Sequence, residues 1–343
     1  MLNTIISKNK DIDIHKAAAP LQPEIAWQVE SLLVKIFEFG DYSFRSALTG
    51  EYSEKLNCTF FLAKRKDNII GVAACLYAHK NPFVAVVGPV GILPEYRRSG
   101  IGTELLTSLI NHLESAGCMA AYLGVSEENP AVNLYQKLGF KKYKGIVMRL
   151  LLNDKFEQHY FSRKTDIKIR RTGWGDFPAI LALASFPGGI YTFDFRRSIF
   201  SSRYVEPARF LSIFPEMMRD FAKYGGFANV LTSKKEENVV GIAHIRRLPG
   251  KARHHIAELD FYTRDNFIER AKTLVQQTIE ESDSLFISGI NCYCLACDDS
   301  KREILIGLSF RQIAVLPENV CINGNYYDVL VYHLPFAKGG GIA

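Results

Sequence analysis

The chain has 343 residues, 48% hydrophobic and 23% charged, a composition that belongs to packed globular domains and excludes a disordered chain. At roughly 100–200 residues per domain, two domains are expected. The net charge of +6, from 42 basic and 36 acidic residues, is scattered without a long Lys/Arg block; this argues against a nucleic-acid binder and suits a protein that holds a polyanionic small molecule.

In chain order, Leu21 to Phe37 carries apolar residues at helical spacing and ends before Gly40. Thr59 to Lys64 alternates like a strand, Asp67-Asn68 turns, and Ile69 to Ala78 reads as a second strand. After the turn at Asn81-Pro82, Phe83 to Leu93 is a third, Val-rich strand. Thr103 to Ala116 has helical periodicity, Met119 to Val125 reads as a buried strand, and Pro130 to Lys137 as a short helix with Pro in its first turn and Gly139 past its end. Phe140 to Leu152 returns as strand. The polar and aromatic stretch Asn153 to Thr165 reads as a linker.

A similar order then recurs. Ile167 to Arg170 is strand-like and Trp174 to Leu183 helical. Phe227 to Leu231 and Val239 to Arg246 flank the polar turn Ser233 to Asn238. His255 to Tyr262 predicts a strand, Phe267 to Glu281 a helix, Leu285 to Ala296 a strand, Lys301 to Ile306 a short helix, and Val320 to His333 a closing strand. Phe140 and Phe310 end corresponding helix-to-strand turns, so the chain carries a weak repeat of domain size. The expected domains are residues 1–152 and 166–336, joined by the linker 153–165 and followed by a Gly-rich tail, 337–343. Each is expected to be an α+β unit, a mostly antiparallel mixed sheet flanked by helices.

Seven cysteines, an odd number without a secretory leader, predict free thiols in a reducing compartment. Cys294-Leu295-Ala296-Cys297 has redox or zinc spacing, but no second pair or His cluster accompanies it and the surrounding run reads as buried strand. Met1 to Lys10 is too short and polar for a signal peptide, and no apolar run approaches the roughly 20 residues of a membrane span, so a cytoplasmic protein without a membrane partner is expected.

The chemistry is concentrated in Val90-Gly91-Ile92-Leu93-Pro94-Glu95-Tyr96-Arg97-Arg98-Ser99-Gly100-Ile101-Gly102-Thr103. A strand ends, a basic and glycine-containing turn follows, and a helix begins. Unsatisfied N–H groups at a helix start, with the helix dipole, form an anion site, and glycines let a phosphate approach the backbone. Arg97 and Arg98 add positive charge, and a diphosphate is the natural guest. The stretch is not a Rossmann fingerprint, lacking its first glycine and a βαβ setting, nor a Walker loop, lacking Gly-Lys-Ser/Thr.

A second block, Asn129-Pro130-Ala131 through Leu134-Tyr135 to Leu138-Gly139-Phe140, follows after one helix and one strand. Together the two blocks resemble the cofactor motifs of the GNAT superfamily of N-acetyltransferases: Arg97-Arg98-Ser99-Gly100-Ile101-Gly102 is similar to its Gln/Arg-x-x-Gly-x-Gly/Ala, and Asn129 to Phe140 to its second motif. The resemblance covers residues 20–152 in pattern and implies acetyl-CoA as cofactor. It implies that Val90, Gly91 and Ile92 pair with pantetheine on a splayed strand, and that amides from Arg98 to Thr103, Ser99, Gly100, Ile101 and Gly102 included, hold the diphosphate. Asn129 would touch the cofactor arm, although it lies one residue closer to Tyr135 than in many relatives, so Glu128 or local backbone can take that place. Tyr135 would protonate the leaving thiolate.

The general base stays open. The strand before the second motif reads Tyr122-Leu123-Gly124-Val125, with Gly124 where relatives carry a carboxylate, leaving Glu127, Glu128 or a bound water. Glu38, Asp41 and Tyr42 fall where relatives form the acceptor wall. The second half resembles the same fold more faintly: its loop, Asp260 to Ile268, has no glycine and two acidic residues, and Leu305 stands where Tyr135 does. A degenerate unit without cofactor is expected there. The expected activity is transfer of acetyl to a primary amine of a small molecule by direct attack in a ternary complex, by a monomer or homodimer. The alternatives are a protein or peptide N-acetyltransferase, or an acyl-CoA-binding sensor or scaffold without turnover.

Overall fold

The computed structural model describes residues 3–5, 11–37, 45–162, 166–186, 191–200, 203–204, 213–233, 235 and 237–336. The chain groups into two compact units: Met1–Tyr160 with Gly173–Ala182, and Phe161–Thr172 with Leu183–Ala343.

The first unit contains strands β1 (Asn3–Ile5) and β2 (Asp13–Ala18), helices α1 (Pro23–Phe37) and α2 (Arg45–Leu48), then β3 (Leu56–Arg65), β4 (Asn68–Ala78) and β5 (Val84–Ile92). Helix α3 (Ile101–Ser115), β6 (Ala120–Gly124), α4 (Ala131–Lys137), β7 (Lys141–Lys144), β8 (Val147–Leu151) and α5 (Phe156–Tyr160) follow. The strands lie in the order β1-β2-β3-β4-β5-β6-β8-β7. The pair β5–β6 is parallel, and the other pairs are antiparallel.

Helix α3 forms because Ile101, Leu105, Leu106, Leu109 and Leu113 recur at helical spacing, and all five are buried in one core with Ile14, Phe61, Ala121 and Leu123. Helix α1 covers the opposite face. A Cβ on Gly91 would meet Ile36 of α1 at 2.8 Å, whereas one on Gly102 of α3 would meet Ile92 at 3.2 Å, and neighbouring strand residues point to opposite faces.

The chain then passes through β9 (Ile167–Arg171) of the second unit and returns to the first, where Trp174 stacks on the buried ring of Tyr52 at 4.2 Å. Helix α6 (Phe177–Ala184) follows, then β10 (Thr192–Asp194), β11 (Ile199–Phe200), β12 (Arg203–Tyr204), α7 (Ile213–Tyr224), β13 (Gly226–Ser233), β14 (Val239–Arg247) and β15 (Ile256–Thr263). Helix α8 (Ile268–Glu280), β16 (Gly289–Leu295), α9 (Asp299–Gly307), β17 (Arg311–Ile322) and β18 (Asn325–Pro335) complete the second unit. Its main sheet runs β17-β18-β16-β15-β14-β13-β9, with β15–β16 parallel. Read from β9, this matches the first sheet read from β2, strand for strand, including the place of the parallel pair.

The second core contains charge. Asp194 lies between Arg246, at 3.1 and 3.2 Å, and Arg197, all three nearly solvent-free. Burial disfavours the Asp194 carboxylate, but Arg246 and Arg197 override it and hold its pKa well below the ordinary value.

Several expectations change. The stretch 153–165, expected as linker, contains α5 with Phe156 and Tyr160 buried; its apolar residues fall four apart and make one helical face. Phe140 to Leu152 is a hairpin rather than one strand, turning at Gly145, whose φ of +56° is the left-handed region. Val320 to His333 is likewise the end of one strand and the start of another, turning at Asn323-Gly324, φ +51° and +78°. Strand structure begins at Gly289 rather than Leu285, because the helix before it is prolonged by a 3-10 turn over Glu281–Leu285. Gly40 and the tail 337–343 lie outside the described residues.

Candidate active site

Strands β5 and β6 pair only at Val84–Ala120, Ala85–Ala121 and Val86–Tyr122. Beyond Val86, β5 runs on to Ile92 against β4, with its other edge unpaired by β6. A register shift lies between the pairs Cys75–Val87 and Ala73–Val90, so Gly88-Pro89 forms a bulge where the strands part. The result is a wedge-shaped gap whose one wall, residues 87–92, includes Val90, Gly91 and Ile92.

The gap points toward the start of α3. After the 3-10 turn Pro94–Tyr96, Arg98 and Gly100 take positive φ, +61° and +89°, and α3 begins at Ile101 with no side chain capping it. The first intrahelical bond comes from Glu104 N–H to the Gly100 carbonyl, so the amides of Ile101, Gly102 and Thr103 precede the helical ladder. Arg97, Arg98, Ser99 and Gly100 are exposed. Arg97 Nε donates to the Ile92 carbonyl at 3.0 Å and Ser99 Oγ to the Tyr96 carbonyl at 2.6 Å, which fix the turn.

The two glycines do different work. A Cβ on Gly100 would meet nothing within 4 Å, so this position opens to space. A Cβ on Gly102 would lie 3.0 Å from Leu134 of α4 and 3.2 Å from Ile92 of β5. Gly102 is therefore where the end of β5, the start of α3 and helix α4 converge, which brings the two sequence blocks together. Beside Leu134, Tyr135 is buried and meets Phe140 edge-on at 5.9 Å. Burial pushes its phenol up to about 12, so it is protonated throughout the neutral range.

Asn129 is occupied locally: its Oδ1 accepts from Ala131 N–H at 2.9 Å and so starts α4. Glu127 is exposed and paired with Lys142 at 3.1 Å, and Glu128 is exposed. Glu38, Asp41 and Tyr42 lie outside the described residues. No group of three His, Cys, Asp or Glu side chains suited to a metal occurs among the described residues; Cys294 is buried and Cys297 exposed.

One polar cluster had no sequence signal. Tyr122 stands at the last paired position before the gap, opposite Arg149 of β8, on the sheet face away from α3. Arg149 pairs with Glu157 of α5 and lies 3.9 Å over the Tyr143 ring, and Tyr143 donates to Glu157 at 3.1 Å. These residues come from four elements and form no local pattern.

Residues 26–140 match the family model described as acetyltransferase (GNAT) family. The chain is 28% identical over 141 residues to mycothiol acetyltransferase of Streptomyces avermitilis, covering 39% of this chain and 44% of that protein. It is 44% identical over 57 residues to an N-alpha-acetyltransferase of Sulfurisphaera tokodaii, covering 16% and 34%. Among solved structures, a Salmonella typhimurium protein with its cofactor acetyl-CoA aligns with a TM-score of 0.42 at 15% identity, covering 52% of this chain and 98% of that one. The matched stretch spans less than half the length of the curated relatives.

Proposed function

Since residues 26–140 match the acetyltransferase (GNAT) family model, we propose that this chain is an N-acetyltransferase that moves an acetyl group from acetyl-CoA to an amine. The observation that carries the reading is the gap between β5 and β6 opening onto the uncapped start of α3. A long thin arm fits an unpaired strand edge, and a diphosphate fits amides at a helix N-terminus.

In this reading, Val90, Gly91 and Ile92 offer backbone groups to the pantetheine arm. The amides from Arg98 through Thr103 face the diphosphate, with Arg97 and Arg98 supplying charge. Asn129 acts indirectly, by fixing the start of α4 through Ala131. The amine attacks the thioester carbonyl in a ternary complex, the C–S bond breaks, and Tyr135 gives its proton to the leaving sulfur. No base is assigned. Glu127 and Glu128 are exposed, which favours a water at the gap as the proton's first acceptor.

The acceptor class we favour is a primary amine on a small molecule, because the mycothiol acetyltransferases are among the curated relatives. The N-alpha-acetyltransferase relative supports the second reading, a peptide amine. The second unit, with the same strand order and Leu305 buried in place of a tyrosine, is read as a GNAT-like unit without cofactor. An amine panel offered with acetyl-CoA, read by thiol release, tests the activity. Acetyl-CoA binding without release for any small amine or peptide would favour a sensor, and no binding would end the proposal.

A further inference from the structure

The second unit has its own strand gap. Strands β15 and β16 pair from Ile256–Gly289 to Leu259–Cys292 and then part. Only residues 260–263 intervene between the last pair and the turn at Arg264, against residues 87–92 before the matching turn at Leu93 in the first unit. The second gap is therefore two residues shorter on this wall.

It also holds a side chain. Lys301, in the first turn of α9 and 3% exposed, donates from Nζ to Asp260 Oδ1 at 3.0 Å and to the Thr192 carbonyl at 3.2 Å. The same Nζ lies 4.9 Å from the Phe261 ring centroid. Asp260 and Phe261 are consecutive strand residues and point to opposite faces of the sheet. One nitrogen near both must stand level with the strand, beside it. One edge of β15 is paired with β14 through Gly241–Thr263. The ammonium therefore stands on the other edge, in the gap facing β16.

The chain closes over it. Tyr191 stacks on Tyr262 of β15 at 3.9 Å and Phe195 on Tyr293 of β16 at 4.4 Å, so the segment between them spans both walls. Phe195 N–H donates to the second oxygen of Asp260 at 3.1 Å. Lys301 stands nine residues before Phe310, and the residue nine before Phe140 is Ala131. At the same helical step, the first unit has a methyl group where the second has a long cationic stem.

We propose that Lys301 is a resident occupant of the second strand gap, and that this side chain, with Asp260 and the overlying segment Tyr191–Phe195, closes the second unit to any ligand arm. The inference about ligands rests on reading the first gap as the cofactor cleft; the occupancy itself does not. The buried thiols of Cys292 and Cys294 on β16 report on the gap. In the full chain, a small alkylating reagent should modify Cys297 and Cys321 readily and leave Cys292 and Cys294 protected. Lys301→Ala should raise the labelling of Cys292 and Cys294 by about 100-fold or more, the scale on which breaking one side of a buried ion pair loosens its surroundings. Cys58, Cys75 and Cys118 of the first unit should stay protected. Lys301→Met with Asp260→Asn refills the gap without charge and should restore protection. Protected thiols in Lys301→Ala would overturn the proposal. So would equal labelling in Lys301→Ala and the double variant, whether or not Lys301→Ala folds. Acetyl-CoA titration of the same proteins tests the first cleft separately: no binding by the wild type would end that reading and leave the thiol pattern standing.

Discussion

Replacing Gly100 by Asp separates the proposed anion site from the fold. The space beside Gly100 is open, so the new side chain clashes with nothing, and its costs come from the backbone and from charge. With φ at +89°, an L-residue there costs about 1–2 kcal/mol. A carboxylate at the start of α3 returns about 0.3–1 kcal/mol through the helix dipole. Stability should therefore fall by no more than about 1–2 kcal/mol. Toward a diphosphate the balance differs. A carboxylate about 5 Å from one phosphate charge, at an effective dielectric near 20, repels it by about 3 kcal/mol, which is roughly 200-fold in Kd. Gly100→Ala carries the same backbone strain without the charge and should lose far less. Calorimetric titration of acetyl-CoA at low salt, beside thermal melts, reads both numbers, and the loss should shrink as salt rises. Equal affinity in Gly100→Asp and wild type would place the diphosphate elsewhere and refute the reasoning.

Tyr135→Phe should lower kcat by about 10- to 100-fold with little change in acetyl-CoA Kd, because in the proposed mechanism the hydroxyl acts only as charge develops on sulfur; equal losses in both would make it a binding residue. Its phenol, pushed up to about 12 against an ordinary value near 10, adds stability below pH 10 that is lost as pH rises toward 12, so the alkaline fall in Tm should be shallower in Tyr135→Phe. His112, which accepts from Lys16 Nζ at 3.0 Å and faces Tyr77 Oη at 3.1 Å, has its pKa lowered to about 4 by burial and by Lys16. A depressed imidazole favours folding above its unfolded value near 6.5, so stability should drop between pH 6.5 and 4 by about 1–2 kcal/mol after allowing for its partial exposure, and His112→Gln should flatten that drop in urea titrations. Asp194→Asn leaves Arg246 and Arg197 short of a buried counter-charge and should cost about 3–5 kcal/mol by denaturant unfolding; a loss under 1 kcal/mol would mean that water reaches the cluster.

The parts of the first unit that could be read from sequence were those written locally. The period of Ile101, Leu105, Leu109 and Leu113 marks α3, and the glycines and arginines before it mark the turn where the anion site is proposed. What escaped was written at long range. Strand β2, His15 and Lys16 included, has no clean alternation and is a strand because β3 pairs with it. The cluster of Tyr122, Arg149 and Glu157 comes from two strands and a helix, so no spacing announces it. Nothing local marks Lys301 as buried; Asp260 and Thr192, far away in sequence, make it so. The Asn323-Gly324 pair is a legible hairpin signal, and the single strand expected over Val320 to His333 runs across it. The two glycines of the loop read alike, and their different surroundings show that one borders open space while the other lets three elements meet.

The return of Gly173–Ala182 to the first unit has a consequence for birth on the ribosome. The sheet and helices up to Tyr160 can emerge and pair, yet the ring of Tyr52 waits for Trp174. At about 5–20 residues per second, that piece arrives on the order of one to a few seconds later. In the interval β9 has also been made, with its partner β13 still unsynthesised. The nascent chain therefore passes through a stage with an incomplete first unit and an orphan strand, and it settles only as the second unit is being made. Codons for fast translation across 161–182 would shorten that exposure, and a pause placed there would lengthen it.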